Sequence, residues 1–376
     1  MKIIGLITEY NPFHNGHIYH INKIKEMYPD SLLILVLNGY FLMRGEISII
    51  SKENKTKLAL ENNVDLVVEL PFFFGSNSAD IFAESSIYIL DKLGCDYLIF
   101  GSESNDIDLL TTVAKKQNNK DFNDLVKNYL SEGINYPTAL NKAIGIDLNN
   151  PNDLLGVSYI KAINKYKSKI KPVTIKRTND YHDQETDQEI ISATNIRAKL
   201  SKNNKINKYV PNNVEKYINT INENLLFKLL KYQIVTNDEL NTILSVDEGI
   251  EKRIKDAALK ANSYEELINL IKTKRYTYNR INRMLMHILV GLKKDDKQMY
   301  TKPQYIKVLG FNKKGQSYLN TLKKDLNIEV NSKINDNLIK DYELKCAYIY
   351  QMLSNENVIE FEIKNKPIKM SSINQE

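Results

Sequence analysis

Residues 2–17 read KIIGLITEYNPFHNGH and join the pattern of a strand to that of a helix through a turn with two histidines. Residues 2–7 have the apolar character of a strand, and the residues after His17 follow the spacing of an amphipathic helix. Where a strand passes into a helix in this way, the free amides and the dipole of the helix start favour an anion. His14 and His17 add imidazole donors and Gly16 permits close backbone approach, so the turn is predicted to hold the phosphates of a nucleoside triphosphate.

Short apolar runs alternate with helical patterns over the first half of the chain. The runs cover residues 32–37, 64–69, 97–100 and 171–175, and the helical stretches lie around 17–28, 52–62 and 78–93. This alternation predicts an α/β fold with a parallel sheet and helices on both faces. Ligands of such sheets bind beyond the carboxyl ends of the strands, where the strand order reverses. The site is therefore predicted at the histidine turn and the loops after the neighbouring strands.

Changes in pattern divide the 376 residues into three predicted regions. Residues 1–202 are predicted to form a nucleotide-binding catalytic domain, residues 203–297 a basic helical domain, and residues 298–376 a small C-terminal region. No run approaches the roughly 20 uncharged apolar residues of a membrane helix, and the start lacks the pattern of a secretory signal. We therefore expect a cytoplasmic protein with no membrane partner.

The two cysteines, Cys95 and Cys346, are far apart in the chain and lack the spacing of metal ligands. Neither a disulfide framework nor a zinc site is indicated, and both thiols are predicted to be buried. No resident metal site is predicted.

Basic charge is concentrated in one segment. The chain has 52 basic and 46 acidic residues, a surplus of six. Residues 271–297 alone hold eight basic and two acidic residues, which is also a surplus of six. Apolar residues recur there at helical spacing, and a neighbouring basic face is predicted to carry Arg280, Arg283, His287 and Lys294.

A basic stripe beside exposed aromatic rings is typical of surfaces that bind RNA. Tyr276 and Tyr278 are predicted to be exposed rings of this kind. The candidate RNA contacts are Lys274, Arg275, Arg280 and Arg283. A solvated helix face in a lysine-rich protein is the alternative interpretation.

A second phosphate-binding motif lies at residues 191–197, which read ISATNIR and match the pattern S-x-T-x-x-R. Ser192 or Thr194 is predicted to cap a helix that begins there. The amides of that helix start, together with Arg197, are predicted to face the β- and γ-phosphates.

The turn has the H-x-G-H form of the nucleotidyltransferase superfamily, and further blocks make the resemblance specific. These blocks are residues 44–46 (RGE), 69–72 (ELPF), 100–103 (FGSE), 152–156 (NDLLG) and 191–197. With the turn, they resemble the bacterial tRNA(Met) cytidine acetate ligase family, from residue 1 to about residue 311. The resemblance implies a Rossmann-like HxGH nucleotidyltransferase sheet with a C-terminal, mainly helical region.

The resemblance also implies the reaction. Such an enzyme uses ATP, with Mg²⁺, to activate acetate as acetyl-adenylate and then acetylates the wobble cytidine of elongator tRNA(Met), giving N4-acetylcytidine. His14 and His17 would be catalytic, and the basic candidates above would bind the tRNA. We expect Arg44 or Glu46 to line the cleft that protects the activated acyl group, and an ion pair at the end of a strand is the alternative interpretation of these two residues. No obligate protein partner is implied.

The family's nucleotide contacts can be carried over to matching positions of this sequence. They are Ile7, Thr8, Glu9, Tyr10, Asn11, Pro12, Phe13, His14, Asn15, Gly16, His17, Ile18, Tyr19, His20, Gly101, Asn152 and Arg177. Ser192, Thr194 and Arg197 join this predicted ATP site from the second motif. His20, one turn after His17, also suits a packing residue.

Three alternative functions share parts of these patterns. A nucleotidyltransferase acting on a small cofactor precursor would use the same ATP site without an RNA surface. A non-catalytic, nucleotide-sensing RNA-binding protein would need neither histidine for chemistry. An aminoacyl-tRNA synthetase is raised only by Lys369-Met370-Ser371-Ser372, which lies close to the C-terminus.

Overall fold

The computed structural model describes residues 1–117, 119–134, 136–145, 148, 150–177, 189–322, 328–335, 337–364 and 366–370. Within these residues, eight strands join in one sheet. The strands are β1 (Ile3–Thr8), β2 (Leu32–Asn38), β3 (Leu66–Leu70), β4 (Tyr97–Ser102), β5 (Lys171–Lys176), β6 (Tyr305–Asn312), β7 (Glu329–Asn331) and β8 (Ile368–Met370). Ser371 and Ser372 of the synthetase-like motif lie outside the described residues.

Helices connect the strands and cover both faces of the sheet. In the first half of the chain they are α1 (Asn15–Met27), α2 (Lys52–Glu61), α3 (Phe72–Gly75), α4 (Ala79–Lys92), α5 (Ile107–Gln117), α6 (Lys120–Ser131), α7 (Tyr136–Ile144), α8 (Pro151–Tyr166) and α9 (Ala193–Ser201). In the second half they are α10 (Glu223–Thr236), α11 (Ile250–Lys260), α12 (Tyr264–Ile271), α13 (Tyr278–Val290), α14 (Lys294–Met299), α15 (Lys313–Leu322), α16 (Leu338–Ser354) and α17 (Ile359–Lys364).

The strand order is β5-β4-β1-β2-β3-β6-β7, with β8 beside β6. All of these pairs are parallel except β3 with β6, which is antiparallel. The predicted α/β fold with a mainly parallel sheet is confirmed. The chain passes from β1 to β2 and β3 on one side and then returns to β4 on the other. The crevice at this reversal, between β1 and β4, is where such sheets bind ligands.

The central strands are buried on both faces, and β2 shows how the sequence achieves this. Leu32, Ile34 and Val36 point into one hydrophobic core, which includes α4 and α8. The alternate residues of β2, with Ile21 and Ile24 of α1, pack in a second core on the opposite face. A strand buried on both sides must be apolar at every position, which explains the unbroken apolar run in the sequence.

The C-terminal part of the chain completes the sheet. β6 pairs with β3, and β8 pairs with β6 through Gly310 and Ile368. A Cβ atom at Gly310 would lie 2.8 Å from Cγ2 of Thr56, so glycine permits α2 to pack closely on β6. The sheet therefore contains strands from the first and the third predicted regions. The domain boundaries at residues 202 and 297 stay a prediction.

Residues 203–297 are all described, and their regular structure is helical, as the pattern predicts. α13 packs against α10, α12 and α16. Both cysteines are buried and free, as predicted. Among the described residues, no helix combines the length and apolar character needed to span a membrane.

Candidate active site

A cleft of about 290 Å³ opens at the carboxyl ends of β1, β4 and β5. It lies at the reversal of strand order between β1 and β4, where the sheet topology directs ligands. All of the predicted ATP contacts line this cleft except Pro12, Phe13, Asn15 and Ile18. Two distant parts of the sequence, the histidine turn and the S-x-T-x-x-R motif, thus meet at one point.

The first turn of α1 fixes the hydrogen-bonding state of both histidines. The backbone N–H of Gly16 donates to Nδ1 of His14 at 3.0 Å, and the backbone N–H of His14 donates to Nδ1 of His17 at 3.2 Å. A backbone amide only donates, so each Nδ1 must be an acceptor without a proton. A neutral ring then carries its proton on Nε2, which leaves one N–H donor per ring for a ligand.

Both rings are kept neutral by their surroundings. Burial, then the charges of Arg177 and Arg197, lower the pKa of His14 to about 3. Removal from bulk water is the main cause that holds the pKa of His17 well below its usual range, and electrostatic interaction with His14 and His20 lowers it further. At neutral pH the histidines therefore supply hydrogen bonds, while the arginines supply positive charge.

The ring of His17 is held among other aromatic rings. Its centroid lies 4.6 Å from that of Tyr10, 5.5 Å from that of Phe13 in a stacked arrangement, and 3.9 Å from that of His14. Tyr10 adopts φ 46°, a left-handed conformation that is uncommon outside glycine. This backbone bend turns the chain sharply between β1 and α1 and brings the aromatic rings together.

The second motif provides a second helix start at the cleft. Ser192 is the N-cap of α9, and its hydroxyl accepts from the amide of Asn195 at 3.2 Å, so the predicted cap is present. Arg197 donates to the carbonyl of Asn11 at 2.8 Å and to the carboxylate of Glu46 at 2.6 Å. These contacts tie α9 to the histidine turn and to the loop after β2.

Arg177 enters the cleft from the end of β5. Its Nε lies 3.8 Å from the carboxylate of Glu103, which also accepts from the side-chain amide of Asn152. Gly101 leaves room for this arrangement, because a Cβ there would lie 3.3 Å from Cγ of Arg177. The three predicted contacts Gly101, Asn152 and Arg177 are thus neighbours in space.

Four of the predicted ATP contacts do not line the cleft, and each has another structural role. Phe13 is fully buried in the core on the α1 side, Pro12 is buried, and Ile18 packs against the same core. The side-chain amide of Asn15 donates to the carbonyls of Glu189 and Lys208, both at 3.0 Å. His20 does line the cleft, and its buried Nε2 has no hydrogen-bond partner among the described residues.

The structure adds cleft residues that the sequence analysis did not identify. They are Met43, Phe82, Phe100, Pro151, Leu155, Tyr159, Ile175, Lys176, Ile190, Ile191 and Ala193. Arg44 and Glu46 line the cleft as expected. Most of the added residues are apolar, and nothing in their sequence spacing distinguishes them from ordinary core residues.

The predicted RNA surface is only partly exposed. Lys274 and Arg275 are exposed, whereas Arg280 and Arg283 are half-buried. Arg275 and Arg280 lie 3.5 Å and 3.8 Å from the carboxylate of Glu248. The surface is therefore partly neutralised by its own acidic neighbour.

Two residues of this segment were predicted wrongly to be exposed. Tyr276 is buried, because its hydroxyl donates to the carbonyl of Asp247 at 3.1 Å and Arg280 covers its ring. His287 is also buried, since its ring bridges the carbonyls of Leu244 and Ser76. Tyr278 is exposed, as predicted.

Arg283 packs against the loop after β2. One of its guanidinium nitrogens lies 3.4 Å from the carbonyl of Met43, to which it donates. The same loop approaches the backbone of α13 at Gly45, where a Cβ atom would lie 2.2 Å from the amide nitrogen of Arg283. This contact joins the basic helix to the cleft wall. The assignment of Arg283 as an RNA contact stays a prediction.

The fold and this turn define the class of HxGH nucleotidyltransferases. Residues 1–366 match the family described as HIGH Nucleotidyl Transferase. The tRNA(Met) cytidine acetate ligase of Oceanobacillus iheyensis is 40% identical, over 88% of this chain and 89% of its own. That of Bacillus subtilis (strain 168) is 37% identical, over 94% of this chain and 92% of its own.

Solved structures agree with the sequence relatives. The crystal structure of Thermotoga maritima TmcAL bound with alpha-thio ATP has a TM-score of 0.88 and 29% identity, covering 99% of this chain and 100% of that chain. Its apo form has a TM-score of 0.90 at 28% identity, with the same coverage. This chain belongs to the HIGH Nucleotidyl Transferase family and, within it, to the tRNA(Met) cytidine acetate ligase family.

Proposed function

We propose that this chain is an ATP-dependent ligase that activates acetate as acetyl-adenylate and acetylates the wobble cytidine of elongator tRNA(Met), giving N4-acetylcytidine. The relatives named above support the reaction class. The observation that carries the proposal is the pair of neutral imidazoles, 3.9 Å apart between ring centroids, each with Nε2–H free to face a phosphate.

The first step is adenylation of a carboxylate. An acetate oxygen attacks the α-phosphorus of ATP, the bond to the bridging oxygen breaks, and pyrophosphate leaves with the electron pair. His14 and His17 donate to the oxygens of the reacting phosphate, while Arg197 and the start of α9 receive the departing pyrophosphate. Neutral donors suit this task because they stabilise growing negative charge without a proton transfer.

Mg²⁺ is proposed to accompany the triphosphate. In such sites Mg²⁺ is bound largely by phosphate oxygens and water, with one or two protein carboxylates. Among the described residues, no group of three His, Cys, Asp or Glu side chains could hold a metal ion unaided. The cleft therefore fits an ion that arrives with ATP and is held by phosphate oxygens and water.

The second step transfers the acetyl group. The exocyclic amine of cytidine attacks the carbonyl carbon of the mixed anhydride, AMP leaves, and the amine loses one proton. The cleft must exclude water during this step, because water would hydrolyse the anhydride. The target base must also leave its stack, which suits an anticodon loop.

The tRNA is proposed to approach along the basic segment. Lys274, Arg275, Arg280 and Arg283 are the proposed contacts, and the exposed ring of Tyr278 offers a stacking surface. α13 carries two of these arginines and also touches the cleft wall at Gly45. An RNA held there would lie next to the ATP site. We propose a cytoplasmic location, where tRNA and ATP are both available.

The test is to incubate the protein with ATP, labelled acetate and separate tRNA transcripts, and then to digest the RNA. Labelled N4-acetylcytidine from elongator tRNA(Met) alone is the expected result. Label in no nucleoside, with pyrophosphate release that does not depend on tRNA or acetate, would favour a nucleotidyltransferase acting on a metabolite. No pyrophosphate release under any condition would favour a non-catalytic nucleotide sensor.

Two variants of His14 separate its chemical role from its structural one. His14→Ala removes both the helix cap and the Nε2 donor, whereas His14→Asn keeps a good cap and removes only the donor. We expect both variants to lose acetate-dependent pyrophosphate release by roughly 100-fold or more. Only His14→Ala should also lose about 1 kcal/mol of stability. Full turnover by His14→Asn would contradict the proposed role of the ring.

A further inference from the structure

The cleft has two halves that belong to opposite faces of the sheet. The histidine turn and α9 pack with the core that contains Tyr10, Phe13 and Ile196. Phe82 and Tyr159, which also line the cleft, belong to the core on the other face. The imidazoles of His14 and His17 and the start of α9 are in the first half. The second half is mainly apolar and has no assigned ligand.

The second half contains a tyrosine hydroxyl that is available to a ligand. Tyr159 is only 3% exposed and lines the cleft, and its hydroxyl makes no hydrogen bond to any residue in the described part of the chain. A tyrosine hydroxyl can donate one hydrogen bond and accept others, so a bound ligand can pair with it. The ring is fixed in place by Phe100, whose centroid lies 5.6 Å away in an edge-to-face arrangement. Phe100 in turn packs over Gly156, where a Cβ would collide with it.

Glu9 follows β1 and places its carboxylate beside Met43, whose side chain packs against the core of the second half. Its Oε1 accepts from the side-chain amide of Asn38 at 3.0 Å and from the backbone N–H of Met43 at 2.7 Å. No donor among the described residues reaches Oε2, although Glu9 lines the cleft. Its negative charge is close enough to add to the rise in the pKa of Tyr159, which is caused mainly by burial.

We propose that Glu9, Tyr159 and the apolar side chains of Met43, Phe82 and Phe100 form the subsite for the flipped acceptor base, a 4-aminopyrimidine. This inference rests on the proposed function. The exocyclic amine donates to Oε2 of Glu9, and the adjacent ring nitrogen accepts from the hydroxyl of Tyr159. The apolar side chains enclose the base, as they do in other sites that bind unstacked bases.

The subsite also accounts for discrimination between cytosine and uracil. Uracil presents a carbonyl oxygen where cytosine presents an amine, and an N–H where cytosine presents an acceptor. The carboxylate of Glu9 would repel that carbonyl. Binding uracil would therefore place two acceptors, Oε2 of Glu9 and the carbonyl oxygen, against each other with no proton between them, which gives a strong basis for rejecting a near-identical ligand.

Glu9→Gln gives a sharp test, because its amide can adopt only one orientation. The two donors at Oε1 require an oxygen there, so the new NH2 group must take the place of Oε2. That group repels the amine of cytosine and can donate to the carbonyl of uracil. Tyr159→Phe removes only the hydroxyl. The matched control is Tyr232→Phe, on an exposed tyrosine of α10 that does not line the cleft.

The measurement is the Kd of two transcripts of elongator tRNA(Met), one with cytidine and one with uridine at the target position, without ATP. For Tyr159→Phe we expect the Kd of the cytidine transcript to rise roughly five- to tenfold, with that of the uridine transcript unchanged. For Glu9→Gln we expect the two Kd values to become equal within about twofold. Tyr232→Phe should change neither.

Equal weakening of both transcripts by Tyr159→Phe and Glu9→Gln would overturn the subsite. Unchanged RNA binding by the two variants together with a raised KM for ATP would also overturn it, because the subsite would then hold the adenine of ATP. Failure of the proposed function is recognised separately, since it appears as absence of labelled N4-acetylcytidine from the unaltered protein. Base discrimination in the Kd values does not depend on that chemistry.

Discussion

Two groups of polar side chains are buried or half-buried in this molecule, and they differ in how many of their donors and acceptors have no partner. The buried charge cluster consists of Lys52, Glu69, Lys307, Glu343 and Glu362. Its ammonium groups and carboxylates pair with one another, with Lys52 lying 3.0 Å from Glu343 and 2.6 Å from Glu362. In the cleft, by contrast, the imidazoles of His14 and His17 keep donors that no neighbour among the described residues uses.

The difference shows that burial of polar groups does not by itself mark a functional site. The charge cluster joins α2 and β3 to β6, α16 and α17, so it fastens the C-terminal part of the chain to the sheet. Apart from Oε2 of Glu69, which has no hydrogen-bond partner among the described residues, the cluster pairs its charged groups within the protein. In the cleft, the Nε2 donors of the two imidazoles and the hydroxyl of Tyr159 have no partner among the described residues and remain available to a ligand.

Removing the central lysine of the charge cluster should have the greatest effect on stability. Lys52→Met leaves Glu69, Glu343 and Glu362 buried with only Lys307 as a partner within the cluster. An uncompensated buried charge costs about 3–5 kcal/mol, so we expect the free energy of unfolding in urea to fall by that amount.

The matched control lies on the same helix. Lys57→Met removes a half-buried ion pair with Glu53, four residues away on the surface of the helix, and should change stability by about 0.5 kcal/mol or less. Comparable losses in the two variants would show that the buried cluster is not the main tie between the two ends of the chain.

Gly45→Ala tests how the cleft wall is held. Gly45 has φ +76°, and a Cβ would lie 2.2 Å from the amide nitrogen of Arg283. The left-handed conformation and the collision with α13 together should cost about 3 kcal/mol, and acetylation should fall because Met43 and Glu46 move with the loop.

Gly133→Ala is the control for the conformation alone. Gly133 has φ +82°, and a Cβ there would meet no atom of the described residues within 4 Å. Only the cost of a left-handed backbone conformation, about 1 kcal/mol, should therefore remain. The measurements are urea unfolding and the initial rate of acetyl transfer. Equal losses in both variants would mean that close packing against α13 does not position the loop.

The histidine turn was predictable because its structure is local. The strand, the bend, the cap and the helix lie within residues 3–27, so sequence spacing determines which groups come together. The S-x-T-x-x-R motif was predictable for the same reason, since Ser192 caps the helix that carries Arg197. The order of strands then brings these two local structures to one crevice.

The second half of the cleft was not predictable in this way. Phe82 comes from α4 and Tyr159 from α8, and both have the spacing of ordinary core residues. His287 was placed wrongly because α13 packs against α10, α12 and α16, which leaves its C-terminal half no free face. Nor does the sequence reveal that β6 runs antiparallel to β3, because that pairing joins residues far apart in the chain.

The protonation state of Glu343 in the buried charge cluster should make stability depend modestly on pH. Burial is the main cause that raises the pKa of Glu343 to about 7, and the negative charge of Glu69 is the next. The positive charge of Lys52 opposes the rise but does not cancel it. Glu362 adds to the rise, and the amide of Phe72 opposes it. With three carboxylates and two ammonium groups, one retained proton makes the cluster neutral.

The pH dependence follows from the sign of this shift. Because the pKa of Glu343 rises from 4.5 in the unfolded chain to about 7, the folded state binds more protons between these values. The stabilisation that comes from the raised pKa of Glu343 is therefore complete below about pH 4.5 and is lost as the pH rises through 7. Glu343→Gln mimics the protonated form, so its stability relative to the unaltered protein should increase by about 2 kcal/mol between pH 5 and pH 8.

Taking the difference between the two proteins cancels the titration of the buried histidines, which otherwise makes stability rise with pH over the same range. Urea unfolding at several pH values measures this difference. Glu360→Gln, at an exposed residue of α17 paired with Lys364, is the control and should show no pH-dependent difference. A flat difference for Glu343→Gln would mean that all three carboxylates are ionised in the folded protein. The cluster would then hold a net negative charge, because three carboxylates would face only two ammonium groups. One buried carboxylate would lack a compensating charge, and the cluster would not be fully paired within the protein.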